Sequence, residues 1–159
     1  VARWNGQTVG EHAFSVVQHC LVVEDIVGIL QTDLDPRWRL AALLHDAPEY
    51  VIGDMISPFK TALGLDYKVF EARLEHAIHI RFGLPPHLPE SIKALIKKAD
   101  RASAFFEATQ LAGFAPDEAV TLFGPPTRGR IMDVTPWPTA MSEVRYLERC
   151  QVLSEAISP

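Results

Sequence analysis

Apolar residues recur every three or four positions along most of this chain, which is the spacing of one face of an α-helix. The first run continues to about residue 30, and a capping-box pattern at residues 8–11 precedes it. The second run continues to about residue 50 and follows Asp35 and Pro36, an N-cap residue and a proline at the first helical position. Each pattern predicts a helix, and the first helix is expected to carry His12 in its opening turn.

Start and stop signals divide the rest of the chain into further helices. Asp66 is predicted to cap one helix, Gly83 and Pro85 to stop it, and Pro89 to precede the next. No stretch alternates apolar and polar residues for long enough to predict a strand. The chain is therefore predicted to be an all-α bundle in a single domain of 159 residues. Its later helices are predicted at residues 66–82, 90–111 and 140–157.

Two segments are predicted to lie outside the main helices. The segment ISPFK at residues 56–60 comes after the helix breaker Gly53 and is expected to be a loop or turn. Residues 114–138 form a proline-rich loop, in which a short helix is expected at residues 117–123. Apolar residues in its second half predict that this loop is ordered, as a pocket lid, a dimer contact or structural cover.

Composition narrows the class of protein. Hydrophobic residues make up 48% of the chain and charged residues 22%, which is ordinary for a globular protein. A net charge of −5 argues against broad binding to duplex nucleic acid, which needs many basic contacts to phosphate. No apolar run reaches the roughly 18 residues of a membrane span, and no signal peptide is visible. Cys20 and Cys150 are isolated and expected to be reduced, so a cytoplasmic protein is predicted.

A group of ionisable residues interrupts the second apolar run. The stretch LLHDAPEY places His45, Asp46 and Glu49 directly after two leucines. His45 and Glu49 are four residues apart and share a helix face, and a metal ion beside the helix could contact both His45 and Asp46. Pro48 lacks the helical N–H and is expected to kink or end the helix there, which turns these side chains toward a cleft.

Three other residues join this group in the hypothesis. Asp100 lies inside the fourth predicted helix beside an apolar face, and a buried carboxylate usually has a partner or a metal ion. Asp54 follows His45 by nine residues in a turn, and His12 adds a second imidazole. His19 is interpreted instead as an ordinary helix histidine. Two imidazoles and two carboxylates suit a divalent ion. The predicted ligands are His12, His45, Asp46 and Asp100.

The order of these residues resembles a known pattern. His12, the His45-Asp46 pair and Asp100 follow the H…HD…D order of the HD-domain metal-dependent phosphohydrolases, over roughly residues 3–110. The resemblance implies an HD-domain-like helical bundle that uses these four residues to hold a metal. The extra histidines of two-metal members are lacking, so one divalent ion is expected, whether Co, Mn, Zn, Fe, Ni or Mg.

Further motifs resemble the bacterial 5′-deoxynucleotidase branch of that superfamily. They are RW at 3–4, VGEHAFSV at 9–16, LLHDAPEYVIGD at 43–54, SPFK at 57–60 and KKAD at 97–100. The resemblance implies that Glu49 is a general acid/base and that Asp54 assists in activating water. It also implies that Arg3 and Trp4 contact phosphate and sugar, with Trp4 selecting deoxyribose, and it suggests a homodimer. Lys60 is a further candidate, as a phosphate-binding cation.

The leading hypothesis is a metal-dependent phosphohydrolase that removes the 5′-phosphate of (deoxy)ribonucleoside monophosphates through a metal-activated water. An HD hydrolase of another small phosphate ester, such as a guanosine alarmone, is one alternative, although no Glu-Asp pair resembles the alarmone-hydrolase motif. A non-catalytic module that senses metal or nucleotide is another, although it would not need Glu49 and Asp54. A helical interaction protein without a small ligand would leave Asp46 and Asp100 unexplained.

Overall fold

The computed structural model describes residues 1–55, 57–126 and 131–158. Within those ranges the regular structure is helical, apart from one isolated β-bridge between Ala2 and Ser15, which confirms the all-α fold class. None of the described helices is both long and apolar enough to cross a membrane. After a 3-10 helix at Trp4–Gly6, the α-helices are α1 (Val16–Leu30), α2 (Pro36–Leu43), α3 (Glu49–Ile52), α4 (Ser57–Leu63), α5 (Leu65–Arg81), α6 (Glu90–Gln110), α7 (Pro116–Phe123) and α8 (Thr139–Ile157).

The apolar core lies among α1, α2, α6 and α8. Helix α1 packs against the other three, and α2 also packs against α8. Phe14, Ile26, Leu40 and Leu43 are among the largest side chains that are fully buried there. Each such side chain contributes about 1.5–3 kcal/mol by leaving water. This packing brings the start of α1, the end of α2 and the middle of α6 into one region.

The first helix begins later than the capping pattern predicts. Helix α1 starts at Val16, and the hydroxyl of its N-cap residue, Ser15, accepts a hydrogen bond from the N–H of Gln18 at 3.2 Å. Residues 8–14 form bends and irregular backbone instead. Gly10 has a φ of 109°, which no helix contains, so the helix cannot extend back through it. His12 therefore lies before the helix and not in its first turn.

The segment predicted as a loop after Gly53 is also helical in part. Helix α4 covers Ser57–Leu63, while Ile56 lies outside the described residues. Pro58 stands in the first turn of α4, where a missing N–H removes no intrahelical hydrogen bond. The proline that indicated a turn therefore marks the beginning of a helix.

The proline-rich segment contains α7, and its second half covers α1. Residues 127–130 of the predicted loop, Gly129 included, lie outside the described residues. Beyond them, the side-chain amide of Gln18 donates to the carbonyl of Thr135 at 2.8 Å and accepts from the N–H of Trp137 at 3.0 Å. Val134, the residue before Thr135, is fully buried. This half of the segment therefore packs against α1, while its role as a pocket lid, a dimer contact or structural cover stays a prediction.

The N-terminal residues are held beside the start of α1. The N–H of Arg3 donates to the carbonyl of Phe14 at 2.8 Å. Trp4 has a φ of 56°, a left-handed conformation that is uncommon outside glycine and that neighbouring contacts must hold in place. Its ring packs against Phe114 and Phe123, with centroids 5.8 and 6.1 Å away. Arg3 and Trp4 are thus fixed next to α6 and α7.

Candidate active site

The HD pair lies in a turn between two helices. Helix α2 ends at Leu43, and successive turns lead to α3, whose first residue is Glu49. The N–H of Glu49 donates to the carbonyl of Asp46 at 2.9 Å across the turn that contains Pro48. The imidazole Nδ1 of His45 bonds to the carbonyl of Ala42 at 2.8 Å. Helix α2 thus ends five residues before Pro48, earlier than the predicted end near residue 50, and His45 and Asp46 lie in the turns that follow it. Nε2 of His45 is left for another partner.

Four donor side chains meet at this turn. Nε2 of His19 lies 3.2 Å from Nε2 of His45, 3.3 Å from Oδ1 of Asp100 and 3.4 Å from Oδ2 of Asp46. Nε2 of His45 lies 3.4 Å from the same oxygen of Asp46. One ligand atom each from His19, His45 and Asp100 falls within 4.8 Å of the others. We refer to His19, His45, Asp46 and Asp100 as the donor cluster.

The chemistry of the donor cluster fits a divalent metal ion. Both imidazoles use Nδ1 for other hydrogen bonds and present Nε2 to each other and to the two carboxylates. Two imidazole nitrogens and two carboxylate oxygens are a donor set that Zn, Co, Mn, Fe and Ni accept in proteins. His19, His45, Asp46 and Asp100 are the residues that would hold the ion.

The structure corrects the choice of the first histidine. His12 is exposed in the bend before α1 and belongs to no metal-type cluster of the described residues. His19, predicted to be an ordinary helix histidine, is fully buried and lies in the donor cluster. His19 takes the place of His12 because α1 begins only at Val16. The helix therefore carries residue 19, and not residue 12, toward α6. The signal was present, since His19 shares a helix face with Val16 and Val23, both buried.

A further carboxylate, missed in the sequence analysis, lies behind the donor cluster. Glu107 is fully buried on α6, and its Oε1 lies 2.6 Å from Nδ1 of His19. Its Oε2 accepts from Nε of Arg3 at 2.9 Å and from Nε1 of Trp4 at 2.8 Å. Arg3 also donates through Nη1 to Asp46 at 3.3 Å. Glu107 follows Asp100 by seven residues, two helical turns, and that spacing on one face was the available signal.

Charges inside the cluster stabilise one another. Burial acts to raise the pKa of Asp46, but the charges on His45, His19 and Arg3 hold it well below its ordinary value. Burial acts to lower the pKa of His45, but the charge on Asp46 and the interactions with Cys20 together outweigh it and raise that pKa to about 9. Burial and the Arg3 charge oppose protonation of His19, yet Glu107 and the cluster carboxylates raise its pKa well above 6.5. Without a metal ion, the imidazoles hold protons that an ion would displace.

Glu49 is the buried carboxylate next to the cluster. Its Oε1 accepts from the ammonium of Lys60 at 3.0 Å, while its Oε2 is buried without a hydrogen-bond partner among the described residues. Burial and the charges of Asp46 and Asp54 raise the pKa of Glu49 to about 7, although Lys60 opposes this. A carboxyl group with that pKa can accept or donate a proton near neutral pH.

A pocket of about 360 Å³ opens beside Glu49 and the cluster. Arg3, Trp4, Asp54 and Lys60 line it, so every residue predicted to contact substrate or to assist with water faces the same space. Lys60 is not a free cation, because its ammonium also pairs with Glu71 at 3.0 Å. A phosphate group would have to compete with two carboxylates for Lys60, whereas Arg3 has three further N–H donors beyond its two hydrogen bonds.

The metal-free protein should lose stability as the pH rises from 6 to 9. His45 has a pKa raised from 6.5 to about 9, so its stabilising contribution is complete below 6.5 and disappears as the pH passes 9. Glu49 has a pKa raised from 4.5 to about 7, so its contribution disappears as the pH passes 7. Thermal unfolding in the presence of EDTA should show Tm falling over this range, with a smaller fall in Glu49→Gln. A Tm that increases from pH 6 to 9 would contradict these shifts.

Comparison with known proteins places the chain in a family. No family model matches the sequence. The uncharacterized protein RCAP_rcc00048 of Rhodobacter capsulatus is 49% identical over 164 residues, which cover 99% of this chain and 82% of that protein. The uncharacterized protein YfdR of Escherichia coli is 32% identical over 82 residues, which cover 52% of this chain and 42% of that protein. On the extent of the first match, the chain belongs to the family of the Rhodobacter capsulatus protein.

Proposed function

We propose that this protein is an HD-domain phosphohydrolase of the cytoplasm that removes the 5′-phosphate from nucleoside monophosphates, with deoxyribonucleotides preferred. The proposal rests on one observation above all. His19, His45, Asp46 and Asp100 come from α1, the turn after α2, and α6, and they converge beside the buried carboxylate of Glu49. A purely structural cluster would not need an adjacent carboxyl group with a pKa of about 7.

Each side chain around the pocket has a task in this proposal. A divalent ion held by the donor cluster would supply positive charge to the phosphoryl oxygens and make water a stronger acid. Glu49 would accept the proton of the attacking water or return a proton to the leaving 5′ oxygen. Asp54, across the same pocket, would orient that water. Arg3 would bind the phosphate with the N–H donors that Glu107 and Asp46 do not use.

The size and lining of the pocket favour a small aromatic phosphate ester. Its volume of about 360 Å³ is at the lower end of small-molecule sites. Trp4 and Phe123 line the same pocket as Arg3, so an apolar surface lies beside a cation. A nucleoside monophosphate has both a flat base and a charged phosphate. The guanosine alarmone alternative needs space for a second phosphorylated position, and we rank it lower.

Phosphate release from purified protein tests the proposal directly. The protein is stripped with a chelator, reloaded separately with Mn²⁺, Co²⁺ or Zn²⁺, and given a panel of ribo- and deoxyribonucleoside 5′-monophosphates. We expect metal-dependent release of inorganic phosphate, with deoxyribonucleotides cleaved faster. Metal-dependent thermal stabilisation without release from any monophosphate would favour the non-catalytic sensing module instead.

Replacing Trp4 should weaken the preference for deoxyribose. The resemblance assigns sugar selection to Trp4, and its ring lines the pocket while its Nε1–H is held by Glu107. Trp4→Phe keeps a ring and loses that hydrogen bond, so we expect kcat/KM for dAMP relative to AMP to fall by about tenfold, the equivalent of 1–1.5 kcal/mol. Phe114→Leu is a control, because Phe114 contacts Trp4 from outside the pocket lining. An unchanged ratio in Trp4→Phe would remove Trp4 from the selection of sugar.

A further inference from the structure

We propose that Glu107 is a positioning residue, which orients His19 for the metal ion with one carboxylate oxygen and Arg3 and Trp4 for the substrate with the other. The inference rests on the proposed function and deepens it. Glu107 touches neither the pocket nor the Nε2 atoms of the donor cluster. Its effect on chemistry would be exerted through the three residues that it holds.

The hydrogen bonds of Glu107 divide cleanly between its two oxygens. Oε1 lies 2.6 Å from Nδ1 of His19 and accepts from the hydroxyl of Ser103 at 2.8 Å. Oε2 accepts from Nε of Arg3 and Nε1 of Trp4, at 2.9 and 2.8 Å. A fully buried carboxylate with several donors is fixed in place, since no solvent competes for it. Its geometry therefore determines where its partners lie.

The contact of Oε1 with His19 determines which imidazole nitrogen is free to bind a metal ion. A carboxylate accepts but does not donate, so Nδ1 of His19 carries the proton in this contact. Nε2 is then the nitrogen that faces His45, Asp46 and Asp100, at 3.2–3.4 Å. Such carboxylate–histidine pairs orient metal ligands, and their loss typically lowers metal affinity by about 10–100-fold.

The Oε2 side fixes the substrate-binding pair. Arg3 and Trp4 are adjacent in sequence, and Trp4 adopts a strained left-handed conformation. Both side chains nevertheless reach the same oxygen. Because Arg3 also bonds to Asp46 of the donor cluster, the metal ligands and the residues that line the pocket share a single rigid support. Phosphate and metal would thereby be held in one fixed relative position.

Glu107→Gln tests whether Glu107 acts through its hydrogen bonds or only by filling space in the core. The amide keeps the shape of the side chain but has one oxygen, so two of the four donors would face an NH₂ group. We expect Mn²⁺ affinity to fall by 10–100-fold, or KM for dAMP at saturating Mn²⁺ to rise by about tenfold, or both, according to which side keeps the oxygen. Metal affinity is read by competition with a fluorescent chelator, which does not depend on turnover. Both constants within twofold of wild type would overturn the inference.

Glu24→Gln is the matched control. Glu24 is another buried glutamate, and it pairs with Arg39 and Arg149 away from the donor cluster. The same substitution there should lower Tm, yet leave the Mn²⁺ affinity and KM unchanged. If Glu24→Gln lowered the Mn²⁺ affinity and raised KM as much as Glu107→Gln does, the effect would come from general loss of stability. The inference would then fail.

A measurement on the wild-type protein does not depend on the folding of a variant. In the Zn²⁺-loaded protein, long-range ¹H–¹⁵N spectra should show His19 with Nδ1 protonated and Nε2 bound to the metal. Binding through Nδ1, or absence of metal binding, would overturn the inference. Metal affinity that depends on Glu107, in a protein that releases no phosphate, would overturn the proposed reaction but retain the role of Glu107 toward His19.

Discussion

His19→Asn is expected to abolish divalent-metal binding and phosphate release together, whereas His12→Asn leaves both within about twofold of wild type. Asparagine keeps an N–H donor for the buried carboxylate of Glu107 but has no counterpart of Nε2, so the effect is confined to the donor cluster. Loss of an outer-shell partner alone costs about 10–100-fold in metal affinity, so we expect more than a 100-fold loss here. Metal content after dialysis and phosphate release provide the measurement.

The same substitution at the two histidines makes this comparison decisive. His12 is exposed in the bend before α1, so its replacement removes no buried side chain. Retention of metal by His19→Asn, or its loss in His12→Asn, would show that the metal lies elsewhere. Asp46→Ala and Asp100→Ala should lose metal and activity in the same way as His19→Asn.

Glu49→Gln is expected to retain the metal ion and to lower kcat by about 10²- to 10⁴-fold, which is the range for a missing general acid or base. Among the described residues, the hydrogen bond of Glu49 goes to Lys60 and not to a side chain of the donor cluster. Its raised pKa, about 7, suits proton transfer at neutral pH. Steady-state kinetics with saturating Mn²⁺, together with metal analysis, separate turnover from metal occupancy.

Glu71→Gln is the control that tests the alternative explanation. Glu49 and Glu71 each accept from the ammonium of Lys60 at 3.0 Å, so either variant removes one of its two carboxylate partners. If Glu49 served only to hold Lys60, both variants would lower kcat alike. A kcat that falls only in Glu49→Gln identifies the carboxyl group itself, and full activity in Glu49→Gln would contradict the acid/base assignment.

Helices with strong apolar spacing could be predicted from the sequence, but their ends could be predicted only where the start and stop signals agree with that spacing. Helix α6 was predicted at residues 90–111 and spans Glu90–Gln110, because its pattern and its stop signals agree. Helix α1 was predicted from residue 8, since a capping-box pattern and a true N-cap look alike without the φ of Gly10. Because the helix was predicted to begin too early, His12 was chosen as a metal ligand in place of His19.

The candidate site was predictable where its residues are close in sequence. His45, Asp46 and Glu49 lie in one turn, and their proximity depends on local geometry alone. His19 and Glu107 are 88 positions apart, and their 2.6 Å contact depends on the packing of α1 against α6. A buried partner of that kind is visible in sequence only as a polar residue on an apolar helix face, which does not say what it pairs with.

The carboxylates around His19 also determine how much positive charge the site can hold. Asp46, Asp100 and Glu107 have pKa values below their ordinary range, so all three remain negative at neutral pH. Arg3 offsets one of these charges. With neutral imidazoles the remainder is about two negative charges, which a dication balances. Alkali ions would leave a deficit and trivalent ions an excess, so electroneutrality selects the valence of the ion even where donor chemistry leaves its element open.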